Sequence, residues 1–398
     1  MTGVGAAAPQ GWLAQGVSAG IKQGDRLDVA AFVSESPATA AAVFTTNLVR
    51  AAPVLVSEEH LSGPVFRAVV VSSGNANAAT GEPGVAVARA MCAAAASAAG
   101  CDPAEVLVAQ TGLIGVPLDV TLAEGGAGAA VSAATRDGGA AAAEAMLTTD
   151  TIAKVAVERV GDGGRTFTVG GTAKGAAMLA PSMATMLAVV TTDASATAAI
   201  LDSALRSAMD DSFHAVVVDG SRSTNDTVFL LANGASGAET IDSTTHHGYP
   251  ALAAAVAAVC RSLALQMVRD AEGATKRMKV TVSGARDDAG ARTGARAVVS
   301  SLLVKCSLAG ADPYWGRVLS ELGASGMIFD PACTSIAYGG TVVCAGGVAA
   351  GHDATTVAAH MAGDEIVIDA VVGDGPGTAT MWGCDLTHAY VDENTGTS

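Results

Sequence analysis

The sequence predicts an α/β or α+β fold of layered sheets and helices, because two local patterns alternate along it. Short valine-rich runs, Ala68-Val-Val-Val-Ser72, Val106-Leu-Val-Ala109, Ala215-Val-Val-Val-Asp219 and Met278-Lys-Val-Thr-Val282, have the length and β-branched composition of strands. Val85 to Ala99 and Ala129 to Met146 are instead alanine-rich, with polar residues spaced as on the surface of a helix. In chain order this gives strand 68–72, helix 85–99, strand 106–109 and helix 129–146. A turn at Gly161-Asp-Gly-Gly164 then precedes a strand over Thr166 to Val169, followed by strands 215–219 and 278–282. Gly284-Ala-Arg-Asp-Asp-Ala-Gly290 is the expected joint between a middle and a C-terminal unit. No internal repeat or sustained heptad interrupts this order.

Composition sets the class of partner. The 398 residues suffice for two or three packed units, and 50% hydrophobic with 15% charged residues gives ample core. Lys and Arg total 22 against 38 Asp and Glu, a net charge of −16, which repels nucleic acid and anionic membrane surfaces and favours cationic small molecules. The first residues carry no basic segment followed by an apolar block. The longest apolar runs are alanine-rich and broken by Arg89, Arg136 or Asp137, so neither a signal peptide nor a membrane span is expected. Seven scattered cysteines without a Cys-x-x-Cys pair fit reduced cytosol, each read as a small buried hydrophobe. His246-His247 reads as a solvated loop pair. No metal site is expected and, without a phosphate-cradling or dinucleotide glycine motif after a strand, no cofactor.

The chemistry concentrates in Ala180-Pro-Ser-Met-Ala-Thr-Met-Leu-Ala-Val189, with Lys174-Gly175 just upstream. One reading is a buried strand that carries a single threonine. The other is a processing site. Cleavage of the Ala184-Thr185 bond would give Thr185 a free α-amine beside its hydroxyl, and that amine can act as the base for acyl transfer.

The segment Lys174-Gly-Ala-Ala-Met-Leu-Ala-Pro-Ser-Met-Ala-Thr-Met-Leu187 resembles the cleavage segment of the ornithine acetyltransferase family. The resemblance runs almost end to end, through Gly16-Val-Ser-Ala-Gly-Ile-Lys22, Val43-Phe-Thr-Thr-Asn47, Ser73-Gly-Asn-Ala-Asn-Ala-Ala-Thr-Gly81, Gln110-Thr-Gly-Leu-Ile-Gly115, Thr148-Thr-Asp-Thr151, Ser223-Thr-Asn-Asp-Thr227, Asp270-Ala-Glu-Gly-Ala-Thr-Lys276, Asp312-Pro-Tyr-Trp-Gly-Arg317 and Cys384-Asp-Leu-Thr387. It implies an N-terminal-nucleophile-like α/β sandwich with smaller C-terminal α/β units. The expected segments are an N-terminal chain 1–184, a middle unit 185–285 that opens on the nucleophile, and a C-terminal unit 286–398. It further implies a cytoplasmic enzyme of arginine biosynthesis, a heterotetramer of two α and two β chains, that moves an acetyl group from N-acetylornithine to glutamate through an acyl-Thr185 intermediate. By the same resemblance Thr111 and the Gly112 N–H stabilise the oxyanion. Thr148 or Thr149, Lys174, Glu272, Asn394 and the last residue, Ser398, join Thr185 in holding small amino-acid substrates, with Lys174 suited to a carboxylate and Glu272 to an amino group.

The chain departs from the family pattern in several places. Ser221-Arg222 follows Asp219-Gly220 where an acidic residue is usual, the lysine segment reads Gly-Ala-Ala where a second glycine is typical, and Tyr314 stands in place of an asparagine. The tail Tyr390-Val-Asp-Glu-Asn-Thr-Gly-Thr-Ser398 has Glu393 in place of an apolar residue and lacks the aromatic expected after Asn394. Alternatives therefore stand beside the family activity: the same threonine chemistry on another acylated amino acid or acceptor amine, a hydrolase of the related aminopeptidase type, or a processed protein that only binds.

Overall fold

A computed structural model describes residues 3–162, 165–179 and 186–396. The described chain forms two compact units: residues 3–178, 186–214 and 221–267 build the first, and 179, 215–220 and 268–396 the second.

The first unit contains β1 (Trp12–Val17), β2 (Val29–Phe44), α1 (Ala52–His60), β3 (Phe66–Asn75), α2 (Gly81–Ala99), β4 (Val106–Leu113), α3 (Val120–Ser132), α4 (Gly139–Ala145), β5 (Lys154–Asp162), β6 (Arg165–Lys174), β7 (Leu187–Thr192) and α5 (Ala198–Asp210). The short β8 (Val216–Val217) belongs to the second unit, and β9 (Thr227–Ala232) and α6 (Tyr249–Arg269) follow it. The strands order as β4-β3-β2-β9-β7-β6-β5, with β1 paired to β2. The long β2 joins the two halves: Val29 to Val33 pair with β3, whereas Thr39 to Phe44 pair with β9. One core gathers Phe32, Val69, Val71 and Leu107 from the first half with Leu187, Val189, Phe229 and Leu231 from the second, so the halves face each other as a sandwich. The outer face of the β1–β4 half packs on Met91, Cys92, Ala95 and Ala96 of α2 and on Ala123, Ala127 and Ala130 of α3. Every residue of β7 is buried, as expected of a strand covered on both faces.

The second unit carries β10 (Arg277–Ala285), α7 (Asp288–Ser300), α8 (Leu302–Ala309), α9 (Trp315–Ala324), β11 (Ser335–Tyr338), β12 (Thr341–Ala345), β13 (Val348–Ala349), α10 (Ala354–Met361), β14 (Glu365–Val371), β15 (Gly377–Cys384) and α11 (His388–Glu393). Its sheet runs β13-β12-β11-β14-β10-β15-β8. Met278, Val280 and Val282, alternate residues of β10, are fully buried against Ala291, Ala295, Val298 and Val299 of α7, the pattern of a sheet with one covered face.

The α/β class and the strands at 68–72, 106–109, 166–169 and 278–282 appear as expected, each within a longer element, and so does the helix over 85–99. The helix expected over Ala129 to Met146 is two helices. Between them Thr135 exchanges backbone hydrogen bonds with Ala14 of β1, at 2.8 and 3.0 Å, which draws the chain out of helical register. The strand expected over Ala215 to Asp219 shrinks to Val216–Val217 because a 3₁₀ turn takes up Phe213–Ala215. Gly284 to Gly290 lies within the second unit, spanning the end of β10 and the start of α7. The thiols of Cys306 and Cys333 are exposed and not buried as read, whereas burial pushes those of Cys92 and Cys260 up to about 12. α6 is long and apolar enough to cross a membrane, but half of its most apolar window is buried, as in a core helix.

Gly138 makes the break between α3 and α4 possible. Its φ of −78° suits any residue, but a Cβ there would lie 1.9 Å from the carbonyl oxygen of Ala14. Gly138→Ala should therefore destabilise the protein by about 1–3 kcal/mol through overpacking. Urea unfolding checks this, and an unchanged midpoint would show that β1 yields at no cost.

Candidate active site

Three strand ends meet at one level of the sandwich. Lys174, the last residue of β6, is paired with Leu187, the first of β7, and Leu187 is paired in turn with Thr227, the first of β9. Ala184 and Thr185, the expected cleavage pair, lie outside the described residues, as does Ser398. Met186, bonded to Thr185, is held on both sides: its N–H donates to Asp226 Oδ1 at 3.0 Å, and its carbonyl accepts the Thr227 N–H at 3.1 Å.

The oxyanion candidates end β4, in the same unit. Gly112 has φ +132°, and a Cβ on it would lie 2.3 Å from the Gly74 carbonyl carbon and 2.5 Å from the Asn75 nitrogen, so only glycine fits the close approach of β3 and β4. Thr111 is 1% exposed, and its Oγ1 has no hydrogen-bond partner among the described residues. The peptide before it is fixed. The Asn225 amide donates to the Gln110 carbonyl at 2.8 Å and to the Ala76 carbonyl, tying β4 and β3 to the segment that opens β9. The Gln110 side chain accepts from Asn77 at 2.7 Å and donates to Ser72 at 3.0 Å.

Beside these strand ends lies a buried ionic cluster. Lys174 Nζ donates to Thr148 Oγ1 at 2.7 Å and stands 3.6 Å from Asp150 Oδ2. Asp150 Oδ1 accepts Lys154 Nζ at 2.7 Å and the Gly175 N–H at 2.6 Å, while Oδ2 accepts the Thr148 N–H at 3.1 Å. Burial raises the affinity of the Asp150 carboxylate for a proton. Lys174, Lys154 and the Gly175 N–H outweigh that effect and hold it well below the usual range. Lys22 borders the cluster and donates to the Leu27 carbonyl at 2.8 Å; burial foremost, then Arg26 and Lys174, lower its pKa to about 8. Of the two candidate threonines, Thr148 is the one bonded to Lys174, and Thr149 is exposed.

The second unit brings Glu272 and Asn394 together. Asn394 Nδ2 donates to Glu272 Oε2 at 2.7 Å and to the Tyr390 carbonyl at 2.9 Å. The Tyr390 hydroxyl donates to Asp219 at 3.2 Å, and burial, with Asp219, pushes its pKa up to about 12. Glu272 is 8% exposed. Arg222, in the first unit, is exposed, and so is Tyr314, whose ring lies under the Arg317 guanidinium at 5.2 Å. His246 and His247 stack at 4.4 Å, and among the described residues no group of three or more His, Cys, Asp or Glu is arranged to hold a metal ion.

Lys154, Asn225 and Asp226 were not singled out from the sequence, although Asn225 and Asp226 fall within the matched segment Ser223 to Thr227. Their one sequence signal is polar character beside strands that are otherwise apolar. The first unit thus offers a hydroxyl without a partner among the described residues, beside Gly112, and a buried cation at Lys174.

These features define an α/β-sandwich acyltransferase, and comparison with known proteins places it more closely. The ArgJ family profile matches residues 13–396. The arginine biosynthesis bifunctional protein ArgJ of Symbiobacterium thermophilum is 46% identical over 392 residues, 98% of this chain and 97% of its own; that of Streptomyces avermitilis is 44% identical over 393 residues, 98% of this chain and 99% of its own. The crystal structure of ArgJ from Bacillus halodurans is similar with a TM-score of 0.50 at 36% identity, covering 52% of this chain and 96% of the solved one. The chain belongs to the ArgJ family, whose bifunctional enzymes transfer acetyl from N-acetylornithine to glutamate in arginine biosynthesis.

Asp226 gives the site a pH signature. Its carboxyl is fully buried, and burial raises its pKa well above the usual 3.8, the Met186 N–H opposing only in part. The stability it contributes is complete below about 3.8 and is lost as pH rises through the higher folded value. Asp226→Asn retains an acceptor for Met186 and cannot titrate, so its unfolding free energy should fall less steeply from pH 4 upward than the parent's. Parallel profiles from chemical denaturation would contradict the assignment.

Proposed function

We propose that Thr185 cleaves the chain before itself and then carries the acetyl group. In the first step its Oγ attacks the Ala184 carbonyl, the peptide C–N bond breaks as the nitrogen takes the hydroxyl proton and becomes a free α-amine, and water hydrolyses the resulting ester to return the Thr185 hydroxyl and leave the Ala184 carboxylate. In turnover that amine takes the hydroxyl proton as Oγ attacks the acetyl carbonyl of N-acetylornithine. The proton passes to the departing ornithine amine, and glutamate's amine then takes the acetyl group from the threonine ester. Thr111 Oγ1 and the Gly112 N–H donate to the oxyanion in both half-reactions, each donor contributing on the order of 3 kcal/mol. Lys174, with Thr148, takes the donor carboxylate. Glu272, oriented by Asn394, takes the donor's amino group, and the family resemblance assigns Ser398 to substrate binding as well.

The observation that carries this reading is Thr111 Oγ1, buried and without a partner among the described residues, on the peptide that precedes Gly112. A buried hydroxyl left unpaired costs about 1–3 kcal/mol, a cost expected where a donor waits for a charge that develops only during reaction. A cytoplasmic assembly of two α and two β chains fits a biosynthetic enzyme of this kind.

Thr185→Ala should purify as a single full-length chain where the parent gives two fragments by intact mass, and efficient cleavage of the variant would remove Thr185 from its role. Lys174→Met should raise KM for N-acetylornithine by about tenfold or more, the loss of one charge-assisted hydrogen bond. Acylation by p-nitrophenyl acetate, which has no carboxylate, should change little. Equal losses on both donors would refute the carboxylate contact.

A further inference from the structure

Asp150 stands between two buried lysines. The side chains of Asp150 and Lys154 are 0% exposed and that of Lys174 is 3% exposed, so three ionisable groups share a space from which water is excluded. Buried charges are costly unless paired, and one carboxylate cannot neutralise two ammonium groups. The distances show where it is committed. Lys154 Nζ lies 2.7 Å from Oδ1 and also donates to the Ile152 carbonyl at 3.2 Å, whereas Lys174 Nζ is 3.6 Å from Oδ2 and makes its short bond to the neutral Thr148 hydroxyl. The backbone accounts for the arrangement: Lys154 opens β5 opposite Ala173, next to Lys174 at the end of β6. Lys22, facing the same cluster, adds positive charge, and Asp28 is committed to the N–H groups of Ala19, Ile21 and Lys22.

We propose that Lys154 is a positioning residue for substrate specificity: by engaging Asp150 it keeps Lys174 from being neutralised, so that the surplus positive charge at Lys174 remains for the carboxylate of the acyl donor. This rests on Lys174 as the carboxylate ligand.

The test is a charge cycle on the full-length, processed enzyme. Lys154→Met leaves Asp150 with Lys174 as its remaining lysine partner, so KM for N-acetylornithine should rise by about tenfold or more while acylation by p-nitrophenyl acetate stays within about twofold. Removing both charges, in Asp150→Asn with Lys154→Met, returns Lys174 to an uncompensated cation. That double variant should bring KM back to within about threefold of the parent. An unchanged KM in Lys154→Met, equal losses on both donors, or a double variant no better than the single would overturn the proposal. If Lys154→Met does not fold, the double variant decides alone: recovery of the parent's KM supports the charge account, and a tenfold loss defeats it. Lys174→Met run alongside separates the two readings. Loss specific to N-acetylornithine there but not in Lys154→Met defeats this inference only, while its absence in Lys174→Met defeats the carboxylate contact itself.

Discussion

The structure depends on how strands from either side of Thr185 interleave. In the order β4-β3-β2-β9-β7-β6-β5, the paired strands β7 and β9 follow the threonine in sequence, and the strands on either side of that pair, β2 and β6, precede it. β7 is paired with β6 over six residues and β9 with β2 over six more. A cut before Thr185 therefore removes one covalent bond and leaves both ladders, together with the shared core of Phe32, Leu107, Val189 and Phe229. Backbone pairing and apolar burial hold the fragments together, so processing can free an α-amine without dismantling the sandwich.

The same interleaving brings the chemistry together. Lys174, Leu187 and Thr227 share one register level, and Asn225 reaches across to the Gln110 and Ala76 carbonyls to fix the end of β4. The resulting site is stiff. Gly112 cannot accept a side chain, Met186 is bonded on both faces, and the Asp150 carboxylate has an N–H or ammonium partner on each oxygen. In the proposed mechanism this preorganisation is what would give the oxyanion donors and the buried cation their effect, since little reorganisation is needed as charge develops.

Much of this was legible in the sequence where the signal is local. The runs at 68–72 and 106–109 and the alanine-rich stretch at 85–99 specify their own elements, and the family resemblance singled out Lys174, which is buried at the end of β6. The helix read through Ala129 to Met146 failed because a backbone bridge from Thr135 to Ala14, more than a hundred residues away, overrides alanine's propensity. The supporting polar groups were hidden for the same reason. Asn225 meets Gln110 across 115 positions, and Asp150 meets Gly175 across 25, contacts that exist only once the strands are ordered. Lys154 sits among Ile152, Ala153, Val155 and Val157, and its burial follows from the register of β5 on β6.

The central claim is that one threonine, exposed as a new N-terminus, carries the acyl group. Intact-mass analysis of the processed enzyme after a brief pulse of N-acetylornithine, without glutamate, tests it most directly. The account predicts one acetyl group on the 185–398 fragment, mapped by fragmentation to Thr185 and discharged when glutamate is added. An unmodified fragment under conditions of turnover, or an acetyl group on another residue, would contradict it.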